Sequence, residues 1–245
     1  MKANIVIFLT SAIDVNGITY SKVNDMEERY NEYRSSLMCW VEEPAVDKIV
    51  FCDNSNFNLS EIQKDVKEKG FEDKLELLSY DGQNFNRNLG KGYGEITTFQ
   101  YAFDHSIFIK QADIILKVNG RYFLENISSI IESLYTLQDA MVLGDFRKKL
   151  TWMDSRVFAF KLSFLEKYFL FYRSQIDDSK GFKFEMALAR SAHQAMAEGH
   201  HWEMLPVVPV IKGRSGSTGR VYSVYGIRYI IKMIYLKIVR YLLAR

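Results

Sequence analysis

The chain has 245 residues, 48% hydrophobic and 25% charged, a balance that excludes a disordered polymer and fits a single folded domain with a short appendage. Its three prolines leave little room for an extended linker. The net charge of +2 conceals a split: eight basic and no acidic residues from Lys212 onward, against 24 basic and 30 acidic before it, so the body gives no reason to expect nucleic acid while the tail should meet something anionic.

Asn4 to Leu9 is a short apolar run rich in β-branched residues, which suits a strand buried on both faces. That run is too short for a signal peptide, and a cytoplasmic location is expected. Asp25 to Val41 has helical spacing, with Met26, Tyr30, Tyr33, Leu37 and Trp40 on one stripe. Lys48 to Cys52 predicts a second strand, stopped by the polar turn at Asp53. A charged helix from Ser60 to about Lys69 ends at Gly70, and Lys74 to Ser79 predicts a third strand. Cys39 and Cys52, the only cysteines, read as reduced core residues.

This β-α-β-α-β order argues for a parallel sheet with right-handed crossovers. Next come a helix over 94–109, a strand over Ile114 to Val118, a helix over 125–137 and a strand over 140–144. The second half predicts a strand at Val157 to Phe160, helices near 162–173 and 181–198, and a strand over Met204 to Ile211. In such sheets ligands sit beyond the carboxyl ends of the strands. That rule picks out Thr10-Ser11, Asp53-Asn54, Tyr80-Asp81 and Asn119-Gly120-Arg121 as one polar rim.

Asp53 could accept bonds from a base or ribose, or close an Asx turn. Gly90-Lys91-Gly92-Tyr93-Gly94-Glu95, read as a loop before a helix, would aim backbone N–H groups at anionic oxygens, with Lys91 adding charge. Lys117-Val118-Asn119-Gly120-Arg121-Tyr122 places cations at a strand end. Lys117 or Arg121 could stabilise a leaving diphosphate there, although strand alternation followed by the intervening turn predicts that only one faces the ligand. Gly213 to Arg220, with Arg214 and Ser217, suits either a phosphate-covering loop or a linker. Glu95, Asp145, Asp154 and Glu185 are candidate general bases, and Trp152 could stack on a sugar. His193, His200 and His201 lack metal-ligand spacing, so no metal site is expected.

The strand ending in Thr10-Ser11, the strand end Phe51-Cys52-Asp53-Asn54-Ser55, the Gly90–Glu95 segment and the Lys117–Tyr122 strand end, in this order, resemble glycosyltransferase-like proteins of bacterial capsule and O-antigen biosynthesis. The resemblance covers most of residues 1–125, with Gly213 to Gly219 as a further match. It implies a GT-A-like α/β fold and transfer of a sugar from a nucleotide-activated donor to a polyprenyl-linked or oligosaccharide acceptor. Asp53 would then meet the nucleotide, Lys91 and Arg121 the phosphates, and Arg214 with Ser217 the closing loop. Thr10, Asn54, Gly92, Lys117 and Asn119 complete the expected donor set. The family's usual Asp-x-Asp metal motif is missing, and Asp113 precedes its strand, so the expectation is transfer without a divalent cofactor. The alternatives are a non-catalytic membrane-associated scaffold and a phosphoribosyl or sugar-phosphate transferase; a nucleotidyltransferase is weakened by the lack of acidic metal ligands.

Residues 1–211 are thus expected to form the catalytic domain, 212–223 a basic Gly/Ser loop and 224–245 a basic aromatic helix. No run in that tail approaches the ~20 apolar residues needed to span a bilayer. On a helical wheel Arg228 and Lys232 lie close together while Lys237 falls almost opposite Arg228, which makes the polar face irregular. The expectation is peripheral attachment to the anionic inner face of a cell membrane.

Overall fold

The computed structural model describes residues 2–15, 25–137, 139–215, 219, 221–222 and 227–243. Ser217 and Arg220 lie outside the described residues. Among those described, twelve strands and eight α-helices follow in the order β1 (Ile5–Ser11), α1 (Met26–Glu42), β2 (Lys48–Asp53), α2 (Ser60–Glu68), β3 (Leu75–Ser79), α3 (Gly90–His105), α4 (Ile107–Gln111), β4 (Ile114–Asn119), β5 (Tyr122–Leu124), α5 (Ile127–Thr136) and β6 (Ala140–Leu143). The chain continues with β7 (Phe146–Arg147), β8 (Trp152–Met153), β9 (Val157–Phe160), α6 (Leu162–Phe164), α7 (Phe184–Ala197), β10 (His201–Glu203), β11 (Ile211–Arg214), β12 (Val221–Tyr222) and α8 (Ile227–Leu243).

Seven strands form the central sheet in the order β10-β6-β9-β4-β1-β2-β3. All run parallel except β9, which pairs antiparallel with both β4 and β6. Strand alternation divides the core. Ile5, Ile7 and Leu9 of β1 face a cluster with Tyr33, Leu37 and Trp40 of α1 and Ile130 and Leu134 of α5. Val6 and Phe8 face the opposite cluster, with Phe99 of α3 and Phe184 and Leu188 of α7. In β4 the same alternation sends Ile115 to that second face. Lys117, two residues on, therefore follows Ile115 beneath α3 and α7.

Several local expectations are corrected. The stripe of α1 that is buried runs through Arg29, Tyr33, Ser36, Leu37 and Trp40, while Met26 is exposed. The helix expected over 94–109 begins earlier and divides at Ser106. There an extended serine caps α4, its Oγ accepting from the Ile109 N–H at 3.0 Å, a conformation serine favours over helix interior. The strand expected over Met204 to Ile211 is absent, because Pro206 and Pro209 lack ladder donors. Asn126 serves that backbone instead, donating to the Val208 carbonyl at 3.0 Å and accepting from the Val210 N–H at 2.9 Å. Residues 211–214 and 221–222, expected to begin or lie within a loop, pair as β11 and β12 and extend from β5 as a small antiparallel sheet. Cys39 is half-buried and Cys52 buried, and both are free.

The helix α8 touches the body through Leu236, which is buried, and Met233, whose sulfur accepts from the Val208 N–H at 3.4 Å. Its other face carries exposed isoleucines and tyrosines.

Candidate active site

A cavity of about 450 Å³ lies beyond the carboxyl ends of β1, β2 and β4, walled by the first turns of α3 and α7. The antiparallel β9 is essential to it. Because Val157 of β9 pairs with Val118 of β4, the amino end of β9 stands beside the carboxyl end of β4, bringing Ser155 and Arg156 to the rim.

Asp53 ends β2 with no exposed surface. One carboxylate oxygen accepts from Ser11 Oγ at 3.0 Å and the Ile13 N–H at 2.9 Å; the other accepts from Ser55 N–H at 2.9 Å, Ser55 Oγ at 2.6 Å and the Phe57 N–H at 3.3 Å. These bonds occupy the carboxylate and tie two strand ends together, so of the two readings the Asx turn is the one the geometry fits, and Asp53 stays behind the cavity wall. Its neighbour Asn54 does line the cavity, donating to the Gly94 carbonyl at 3.1 Å, while its Oδ1 is buried without a hydrogen-bond partner.

The three glycines do not form a loop: they are the first turn of α3. Gly90 has φ +79°, a conformation that favours glycine, and a Cβ there would strike the Asp178 side chain. A Cβ on Gly92 would stand 3.2 Å from the Phe184 backbone nitrogen. The glycines thus let α3 approach Asp178 and the start of α7 closely. Lys91, Gly92, Gly94 and Glu95 still line the cavity. Burial draws the Lys91 pKa down, against the opposing charges of Asp178, Glu95 and Glu185.

At the end of β4, Lys117, Asn119 and Arg121 all face the same cavity. The strand end and the turn after it predict only one cation of the pair facing the ligand; instead the backbone turns at Gly120, whose N–H donates to the Thr10 carbonyl at 2.9 Å, and both line the cavity. A Cβ on Gly120 would stand 2.9 Å from that carbonyl oxygen and 3.2 Å from the Tyr33 ring. The turn therefore has no room for a side chain at residue 120, and Arg121 lines the cavity beside Tyr33 and Glu32 of α1. Lys117 is 1% exposed, and its ammonium pairs with Glu95 and donates to the Ser155 carbonyl at 2.8 Å. Arg121 donates from Nη1 to Glu32 at 3.0 Å, and its buried Nε has no hydrogen-bond partner.

Three cations at this cavity escape the sequence reading: Arg29, Arg156 and Lys183. Arg29 lies on the buried stripe of α1 and donates from Nε to the Ala12 and Ile13 carbonyls at 3.0 Å. Its position at helical spacing from Tyr33 and Leu37 is the signal that marks it. Arg156 needs the β9 pairing, which no local pattern encodes. With Lys91, Lys117 and Arg121 these make six cationic side chains against Glu95, Asp178 and Glu185, an excess suited to a polyanion.

The candidate bases separate by environment. Asp154 is off the cavity and accepts from Arg156 Nε at 2.9 Å and Nη2 at 2.5 Å, with Arg147 at 2.8 Å. Burial works to raise its pKa, but the Arg156 hydrogen bonds and both guanidinium charges outweigh it, and the net shift is downward. It holds Arg156 rather than facing a substrate. Asp145 is also off the cavity. Glu95 is engaged by Lys117. Glu185, in the first turn of α7, lines the cavity and accepts a hydrogen bond from Ser155 Oγ at 3.0 Å. Burial pushes its pKa above the usual carboxylate range, with Glu95 adding to the effect.

Arg214 points away from the cavity, pairing with Glu28 and with Glu32 Oε1 at 2.8 Å. It reaches the site only through Glu32, which it shares with Arg121. Ser215 and Tyr222, which flank residues 216–218, do line the cavity. The donor set at β4 does not fit a divalent cation, since two cations and an amide stand there. Among the described residues no three His, Cys, Asp or Glu side chains group as a metal site.

No family model and no curated protein sequence matches the chain. Solved structures do. A mannosyltransferase from Pyrobaculum calidifontis, in complex with GDP-mannose and Mn²⁺, is 10% identical over 83% of this chain and 55% of its own, with a TM-score of 0.51. GalNAc-T7, with UDP, GalNAc and Mn²⁺, is 10% identical over 97% of this chain and 49% of its own, with a TM-score of 0.52. The chain spans about half the length of each of these two proteins. The mostly parallel sheet flanked by helices is a GT-A-like fold, as the sequence resemblance implied.

Proposed function

We propose that the chain is a glycosyltransferase that moves a sugar from a nucleotide-activated donor to an acceptor hydroxyl without a divalent metal. The observation that carries this reading is that a cation cluster at the end of β4 and an ionisable carboxylate, Glu185 at the start of α7, line one cavity, joined through Ser155. Fold likeness to two glycosyltransferases is consistent with it, as is the cation pair at the strand end where a metal-binding motif would stand.

In this reading the donor diphosphate lies over Lys117 and Arg121, with Lys91 and Arg29 close by. The unpartnered Nε of Arg121 and Oδ1 of Asn54 supply a donor and an acceptor for the ligand. As the bond from the anomeric carbon to phosphate oxygen breaks, negative charge grows on the leaving diphosphate. Fixed cations stabilise that charge without reorganising. Glu185 takes the proton of the acceptor hydroxyl as its oxygen bonds to the anomeric carbon. Its raised pKa makes it a stronger base than a solvated glutamate. Trp152, on the same rim, offers an aromatic face to a sugar.

The reading extends to a polyprenyl-linked or growing oligosaccharide acceptor of a bacterial surface polysaccharide such as capsule or O-antigen, met at the inner face of the membrane. Among the described residues no helix is long and apolar enough to cross a membrane. The deciding measurement is thermal unfolding with nucleoside diphosphates in the presence of EDTA. A rise in Tm is expected from ligand binding to the folded state alone. No shift with any common nucleoside diphosphate, or one that requires Mn²⁺, would overturn the proposal.

A further inference from the structure

Eight of the thirteen exposed large hydrophobic side chains among the described residues lie on α8. Placed at about 100° per residue, they fill one uninterrupted arc of about 140°. Ile230, Ile231, Ile234 and Ile238 occupy the arc with Tyr235 and Tyr241 toward its edges. The buried Leu236 projects almost opposite its centre, so the helix is held to the body by one face and presents the other outward. Lys237 borders the arc on one side and Lys232 stands beyond its other edge, both exposed. The irregular wheel read from the sequence is therefore an outward apolar face flanked by two lysines and a body-facing side that carries Leu236 and Arg240.

We propose that α8 lies in the plane of an anionic phospholipid surface, its isoleucine arc reaching the acyl boundary and its lysines the headgroups. This deepens the membrane part of the function proposed above and does not depend on the chemistry at Glu185. The charge pattern selects the occupant. Lysine stems snorkel beside an embedded apolar face toward lipid phosphates, and tyrosine suits the interface. A second copy of the chain is a poorer partner, because α8 carries no acidic residue and a self-paired face would bring lysines together without counter-charge. The seventeen residues of α8, interrupted by lysines, are not a spanning segment.

The test is co-sedimentation of the full chain with vesicles of phosphatidylcholine alone or of equimolar phosphatidylcholine and phosphatidylglycerol. Binding to the anionic vesicles should be at least about tenfold tighter and should weaken with salt. Ile234→Glu with Ile238→Glu, at exposed positions, should abolish binding to both. Lys232→Gln with Lys237→Gln should remove the preference for anionic lipid. The thermal shift with nucleoside diphosphate should be unchanged in both double variants, which separates this proposal from the donor reading. Equal vesicle binding by wild type and the Ile234→Glu/Ile238→Glu variant overturns it. So does absence of vesicle binding together with a dimer, by light scattering, that the glutamates dissociate.

Discussion

The ammonium of Lys117 on β4 meets the carboxylate of Glu95, in the second turn of α3, at the cavity wall. The lysine side chain is 1% exposed and the glutamate 27%, so the pair is shielded from water on one side only. Lys117→Met should lower stability by about 2–3 kcal/mol, below the range for a fully buried pair, because Glu95 can rehydrate. It should also weaken nucleoside diphosphate binding at least about tenfold, a loss of ~1.4 kcal/mol. Adding Glu95→Gln should restore most of the stability and little of the affinity. Denaturant unfolding and calorimetric titration measure the two quantities separately. A double variant that binds as tightly as the wild type would remove Lys117 from the diphosphate site.

Glu185→Gln should depress turnover by about 10²–10⁴ while nucleoside diphosphate binding stays within a few-fold. In the wild type the rate should rise with pH through an apparent pKa above the ordinary glutamate range, since the base acts ionised and burial raises its pKa. Stability should move oppositely. A raised folded-state pKa means the folded protein binds the proton more tightly. Stability is then highest below the unfolded carboxylate pKa and falls as pH rises, until the folded pKa is passed. Glu185→Gln should flatten that fall. A variant that keeps wild-type turnover, or a rate that declines across the same window, would exclude Glu185 as the base.

The sheet was legible because buried parallel strands leave continuous apolar runs, and both Ile5–Leu9 and Ile49–Cys52 are of that kind. The rim followed from polar residues at the strand ends. What the sequence withheld depends on chain segments far apart. Arg156 reaches the cavity only through the insertion of β9 between β4 and β6, and the glycines of α3 are explained by Asp178 and Phe184 across the fold. Asp154 and Glu185 are both carboxylates beside aromatic or apolar neighbours, and they are distinguished by the guanidinium groups of Arg147 and Arg156 and by Glu185 alone lining the cavity.

Asp154→Asn tests that distinction. The carboxylate side chain is 13% exposed and bonded to two guanidinium groups, and hydrogen bonds to charged partners contribute about 1.5–3 kcal/mol. The substitution should therefore cost about 2 kcal/mol of stability and raise KM by loosening Arg156, with kcat little changed. Its pKa is depressed in the folded state, so the contribution is full above the unfolded carboxylate pKa and is lost as pH falls through the folded value. The variant should show a shallower acid limb in unfolding experiments. A collapse of kcat at unchanged KM would instead place Asp154 in the chemistry.

Arg121 joins two environments, lining the cavity while pairing with Glu32 behind it, and its buried Nε has no hydrogen-bond partner. Arg121→Lys keeps a charge but cannot serve Glu32 and a phosphate oxygen at once, since the planar fork is lost. It should weaken nucleoside diphosphate binding about tenfold, whereas a nucleoside without phosphates should bind as before. Arg214→Gln provides the control, because Arg214 shares Glu32 but points away from the cavity. Its half-exposed pairs contribute little to stability, and diphosphate affinity should change less than about threefold. Equal losses in the two variants would mean that the Glu32 network, rather than direct contact with phosphate, sets the affinity.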